Sequence, residues 1–171
     1  MPRYVAFLRG VSPMNARMPE LKRCFELAGF SDVRTLLSSG NVVFDTRSST
    51  TAALAKRCEK AMRDGLDRSF ATIVRPVKYL QDLIEADPFA GFEIPSNAKR
   101  VVTFFREPYT RELALPIERD NARILKTTAS EAFTCYVPGD NAPVFMTFIE
   151  RTFGNDITTR TLDTVRKCAW A

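Results

Sequence analysis

Val33-Arg34-Thr35-Leu36-Leu37-Ser38-Ser39-Gly40-Asn41-Val42-Val43-Phe44-Asp45 is the stretch on which the fold turns. Strand-forming runs at 33–38 and 42–45 flank Ser39-Gly40-Asn41, whose Gly and Asn types accept the positive φ of a tight hairpin. Working toward the N-terminus, Met18 to Ala28 reads as a helix. Leu21, Cys24, Phe25 and Ala28 fall at helical spacing, Pro19 suits the first turn, and Gly29 with Phe30 supplies the stop. Before it, Tyr4 to Arg9 is a short strand closed by Gly10. Toward the C-terminus, Ser48-Ser49-Thr50 offers helix caps to a second helix with Leu54, Cys58, Ala61 and Met62 on its buried stripe. Ala71 to Val77 is the next strand, with Pro76 pointing to a sheet edge. A short helix over Lys78 to Ala86 ends at Asp87-Pro88. Strand-helix-strand-strand-helix-strand predicts a ferredoxin-like βαββαβ subdomain over residues 1–90 of an α+β protein.

A second, smaller α+β subdomain is expected over 91–171, after an aperiodic boundary at Phe89 to Ala98. Lys99 to Arg106 is apolar on both faces and predicts a central strand. Tyr109 to Leu115 reads as a turn or two of helix cut by Pro116. Ala122 to Thr127 and Ala132 to Val137 read as a strand pair. Pro143 starts a helix through Phe153 with Phe145, Phe148, Ile149 and Thr152 on one face. Thr161 caps a last short helix carrying Leu162 and Val165.

A chain of 171 residues with 45% hydrophobic and 26% charged residues has the balance of a globular protein. No apolar run approaches the ~20 residues of a membrane span, and Met1-Pro2-Arg3-Tyr4-Val5 enters a strand without signal-peptide features. A cytoplasmic protein with no membrane association is therefore expected. Cys24, Cys58, Cys135 and Cys168 lie too far apart for paired-cysteine motifs and read as small core residues. Histidine is absent. That removes Ser-His and Cys-His nucleophile pairs and every histidine metal site, so neither metal nor cofactor is expected and the balance leans away from an enzyme. Residues 1–90 hold 14 Lys and Arg against 10 Asp and Glu, and residues 91–171 hold 11 against 10. The cations of the first half alternate with acids on helix faces, which reads as a solvated surface.

The predicted topology has a consequence for function. If the first strand runs up and the first helix comes down, the second strand rises to a hairpin beside the end of the first. Arg9-Gly10 and Ser39-Gly40-Asn41 then stand together, bringing a guanidinium, an amide and backbone N–H groups to one place suited to a small anion or nucleotide-like ligand.

Several segments resemble the domain-of-unknown-function 1697 family: Tyr4-Val5-Ala6-Phe7-Leu8-Arg9-Gly10, Met18-Pro19-Glu20-Leu21, Gly29-Phe30-Ser31-Asp32-Val33-Arg34-Thr35 and Ser39-Gly40-Asn41-Val42-Val43-Phe44. Asp87-Pro88-Phe89 and Thr158-Thr159-Arg160 with Thr164-Val165 extend the resemblance over nearly the whole chain. It implies an uncharacterised bacterial cytoplasmic protein of two α+β subdomains, the first ferredoxin-like, with no established activity to carry over. The pattern also singles out Arg160 as a second candidate anion ligand. Two segments depart from the family. A Gly-rich loop is replaced by Val11-Ser12-Pro13-Met14-Asn15-Ala16-Arg17, and a Lys-bearing stretch by Asn141-Ala142-Pro143-Val144-Phe145-Met146. A family role resting on those loops is altered or lost here.

The expected ligand residues are thus Arg9, Gly10, Ser39, Gly40, Asn41 and Arg160, in a non-enzymatic binding protein. One alternative is a nucleic-acid-binding module, with Tyr4, Phe7 and Phe44 as conceivable stacking residues that read better as core. The other is an enzyme without histidine, using Asp45 as a base. The residues leave the oligomeric state open.

Overall fold

The computed structural model describes residues 1–139 and 143–171, with Pro143 known by its backbone alone. The N-terminal strand formers become β1 (Arg3–Leu8). The chain continues as α1 (Met18–Leu27), β2 (Ser31–Leu36), β3 (Asn41–Asp45), α2 (Thr51–Leu66), β4 (Thr72–Pro76) and α3 (Val77–Glu85). Alternation along these strands divides the sheet into two faces. Tyr4, Ala6, Leu8, Val42, Phe44 and Val74 join Leu21, Cys24 and Phe25 of α1 and Leu54, Cys58 and Met62 of α2 in one core. Val5, Phe7, Val43 and Ile73 point the other way and are also buried.

Local chemistry sets the helix limits. At the end of α1, Gly29 takes φ 95°, its N–H bonds Glu26 O at 3.1 Å, and the Phe30 N–H bonds Phe25 O at 3.2 Å. This is the double hydrogen bond of a left-handed stop, completed by ring contact between Phe25 and Phe30 at 5.7 Å. At the start of α2, Thr50 accepts the Ala53 N–H at 3.1 Å. The two helices approach closely where Gly65 faces Cys24, and a Cβ on Gly65 would collide with that sulfur.

The first sheet has the order β2-β3-β1-β4 with antiparallel neighbours throughout. Pro76 lies on β4, an edge strand, where its missing N–H costs no ladder bond.

The second sheet is built from β5 (Lys99–Phe105), β6 (Ile117–Arg119), β7 (Ala122–Thr127), β8 (Glu131–Tyr136) and β9 (Ile157–Thr161), in the order β6-β7-β8-β5-β9. Its β5 lies inside the sheet, as its two apolar faces predict. Helix α4 (Pro143–Phe153) places Phe145, Phe148 and Ile149 over Val101, Phe105, Ile124 and Ala132. Phe89 meets Phe133 edge-on at 5.8 Å. Helix α5 (Leu162–Ala169) follows β9 and is capped by Thr161, whose hydroxyl accepts the Thr164 N–H at 3.3 Å.

Several expectations are corrected. Residues 109–115 form no helix; instead the Tyr109 ring packs against Phe105 and Phe153, at 5.3 and 5.0 Å. Strands β6 and β9 lacked a sequence signal, because each is short and mostly polar and borrows its conformation from a pairing partner. The chain forms two compact units, one of Met1–Glu85 with Arg166–Ala171, the other of Ala86–Val165. The last six residues thus return to the first unit, where Cys168 and Ala169 are buried. The spacing of apolar residues marks them as core residues but does not say of which core.

Candidate functional site

Hydrogen bonds at the end of β1 bring the two predicted loops together. The Leu8 N–H bonds Gly40 O at 2.9 Å, and the Arg9 N–H bonds Ala71 O at 2.9 Å. Phe7 stands opposite Asn41 in the ladder. Gly40 has φ 87° and sits so close to the following loop that a Cβ there would lie 2.8 Å from Val11 Cβ and 3.0 Å from Leu8 Cβ. Only glycine fits, both for its backbone angle and for the approach of Val11. Arg9, Gly10, Ser39, Gly40 and Asn41 therefore share one end of the first sheet. Arg160 belongs to the other unit, on β9 opposite Val102, and its guanidinium donates to Thr159 O at 2.8 Å.

The roles of these residues differ from expectation. Asn41 is not in the turn: it opens β3, is fully buried, and donates from Nδ2 to Leu36 O at 2.9 Å and Ser39 Oγ at 3.1 Å. Its amide closes the turn from inside. The turn comprises residues 37–40, and its second positive φ belongs to Leu37, at 59° and 48% exposed. A leucine in this region gave no sequence signal, since the conformation favours Gly, Asn and Asp.

The loop after Gly10 is tied by Asn15, which the sequence reading did not single out. Asn15 Oδ1 accepts the Ser12 N–H at 2.8 Å and its Nδ2 donates to Gly10 O at 2.9 Å. Ser12 O in turn accepts the N–H groups of Asn15 and Ala16, both at 3.1 Å. An asparagine in a short loop, three residues past Ser12 and five past Gly10, is the signal that could have found it, because its side chain mimics a turn peptide. The N–H groups of Ser12, Asn15 and Ala16 are thereby consumed within the loop, and Pro13 has none. The expected backbone cradle is reduced accordingly. Charge near this end comes from side chains: half-buried Arg9, exposed Arg17, and Arg68, which donates to Asn15 O at 3.4 Å. Met14 projects at the apex, 97% exposed.

Other candidates resolve into structure. Asp45 is paired with Arg3 at 2.8 Å, which also reaches Asp32 at 3.2 Å. Tyr4 and Phe44 stack at 6.1 Å in the core beneath the helices, and Phe7 is fully buried, so none presents a ring to solvent. All four cysteines are free and buried. Burial pushes the thiols of Cys24, Cys58 and Cys135 above their ordinary value. One buried carboxylate was not anticipated: Glu131, 1% exposed, opens β8 and meets Thr128 Oγ1 at 3.5 Å. Among the described residues no group of three or more Cys, Asp or Glu could hold a metal ion, and no helix is long and apolar enough to cross a membrane. Of the replaced family stretch, Asn141 and Ala142 lie outside the described residues.

The fold is similar to that of a conserved bacterial protein, SP0830, from Streptococcus pneumoniae. The TM-score is 0.72 at 17% identity, covering 99% of this chain and 97% of that one. No curated protein matches. Residues 1–133 match the protein family of unknown function DUF1697, and the chain belongs to that family.

Proposed function

We propose that the protein is a non-enzymatic binding protein for a small anionic or nucleotide-like ligand, taken up at the hairpin end of the first unit. The observation that carries this reading is the packing of the 9–17 loop against the 37–40 turn through Gly40 and Val11. It holds Arg9 at a fixed place, with Gly10 and Ser39 beside it. Recognition rests on guanidinium charge more than on backbone N–H groups, because the N–H groups of Ser12, Asn15 and Ala16 are already bonded within the loop. Asn41 shapes the site and does not touch the ligand. The βαββαβ order and the strand order support a ferredoxin-like arrangement of the first unit, in keeping with a bacterial cytoplasmic protein.

The test is a thermal-shift series with inorganic phosphate, nucleoside monophosphates and small carboxylates. A ligand at ~100 times its dissociation constant adds about 2.7 kcal/mol of stability. The ligand-induced shift, not the absolute midpoint, is compared between wild type, Arg9→Lys and Arg9→Ala. Graded loss across that series supports the site, and a loss of equal size in Arg160→Ala adds Arg160 to it. An undiminished shift in Arg9→Ala, or no shift with any anion, removes the proposal.

A further inference from the structure

The chain's only tryptophan, Trp170, is 53% exposed, yet the backbone on both sides of it is fastened. Gln81 Nε2 donates to Ala169 O at 2.8 Å, and Arg3 Nε donates to Ala171 O at 3.1 Å. Arg3 is itself anchored on Asp45 and Asp32. Residues 169–171 are thus tied to α3 and β1. Here two side chains of the first unit hold them, and the indole is left half in solvent on a rigid support.

Two cations share its helical turn. The Trp170 N–H bonds Arg166 O at 3.3 Å, so the helical turn continues through it. Arg166 and Lys167, at i−4 and i−3, therefore share its face, and both are exposed. The unit that carries them holds 16 Lys and Arg against 9 Asp and Glu, a formal +7, whereas the other unit holds 9 against 11. The net positive charge of the molecule thus resides in the unit that presents the tryptophan.

We infer that Trp170 is a stacking platform for an unpaired base of single-stranded nucleic acid, with Arg166 and Lys167 holding the adjoining phosphates. An indole accepts any base on its face, and cations three and four residues back are placed to meet the backbone on either side. Nucleic acid is the occupant favoured by charge, because a phosphate chain complements a +7 unit where an ordinary protein surface does not. The platform lies beside Arg3 at the start of β1, about 17 Å along the strand from Leu8 and the hairpin end. It is separate from the anion site proposed there, and either can fail alone.

The experiment titrates the full chain with a short oligothymidylate, the matching oligouridylate, the same sequence as a duplex, and anionic phosphatidylserine vesicles. With one tryptophan, its emission reports the site directly, and anisotropy of labelled oligonucleotide covers variants lacking it. Expected are quenching by the single strands and weaker binding to the duplex. Trp170→Ala should bind about 5- to 150-fold more weakly, with Trp170→Phe close to wild type. In Arg166→Ala/Lys167→Ala, the slope of log affinity against log salt should be shallower by about 1.4, at ~0.7 per phosphate contact. Thymidylate and uridylate binding alike marks a base-tolerant stack, and a preference between them names the nucleic acid; both support the platform. No emission change at low salt, equal binding by the duplex, unchanged affinity in Trp170→Ala, or a blue shift with vesicles alone overturns it.

Discussion

Gly40 is the residue on which the candidate site depends. Its φ of 87° disfavours any side chain, and a Cβ would stand 2.8 Å from Val11 Cβ. Gly40→Ala should therefore destabilise by roughly 1–3 kcal/mol, from the left-handed backbone and the overlap together. In a Val11→Gly background the contacts with Val11 are removed while the backbone term and the approach to Leu8 Cβ remain, so the cost should fall toward about 1 kcal/mol. Urea midpoints of the two single variants and the double variant measure this. Additive effects would mean that the two loops are not coupled through this contact. At this scale the sequence was partly legible: it announced Gly40 as a turn glycine, and Asn41 as its neighbour. It did not announce that Asn41 lies inside the strand with its amide turned back to Leu36 O, or that Leu37 takes the second left-handed position. Those are decisions of a closed turn, in which each residue adopts what the others leave.

Among the elements, α1 and α2 and the strands beneath them were the most legible, because both period and punctuation pointed the same way. They also bury Cys24 and Cys58 where thiolates are disfavoured. Burial of Cys58 pushes its thiol up from 9.0, outweighing the attraction of neighbouring Arg57. The direction fixes the pH dependence. Above the ordinary thiol value the unfolded chain loses a proton that the native chain keeps, so the native state binds more protons and stability falls as pH rises. Cys58 alone contributes a slope of up to about 1.4 kcal/mol per pH unit there, and the stabilisation is fully present below that value. Urea midpoints of Cys58→Ala should decline less between about pH 8 and pH 10 than those of wild type. Parallel declines would assign the effect elsewhere. The elements that escaped the sequence, β6 and β9, are those with little apolar pattern of their own. A strand such as Ile157-Thr158-Thr159-Arg160-Thr161 becomes a strand because β5 offers it a ladder.

For the whole molecule, the return of Arg166–Ala171 to the first unit is the feature with the largest reach. Removing these six residues takes away the buried Cys168 and Ala169 and the acceptors of Arg3 and Gln81. The cost should be roughly 2–4 kcal/mol, against about 1 kcal/mol for Gln81→Ala, read from thermal midpoints of the two variants. A truncated chain as stable as the full one would show that the segment is only laid on the surface. The sequence by itself determined the local elements of residues 1–90, the free and buried cysteines, the interior place of β5 and the meeting of the Arg9 and Gly40 loops. These follow from periodicity, turn chemistry and the geometry of antiparallel strands, all of which act between near neighbours along the chain or through a topology they imply. Only the tertiary structure decided which unit Cys168 and Ala169 join, that Asp45 belongs to Arg3, and that Trp170 stands half exposed on a fastened backbone. Each of these is a choice between partners remote in sequence, made by packing and by the need of buried polar groups for a hydrogen bond, and no local pattern carries that information.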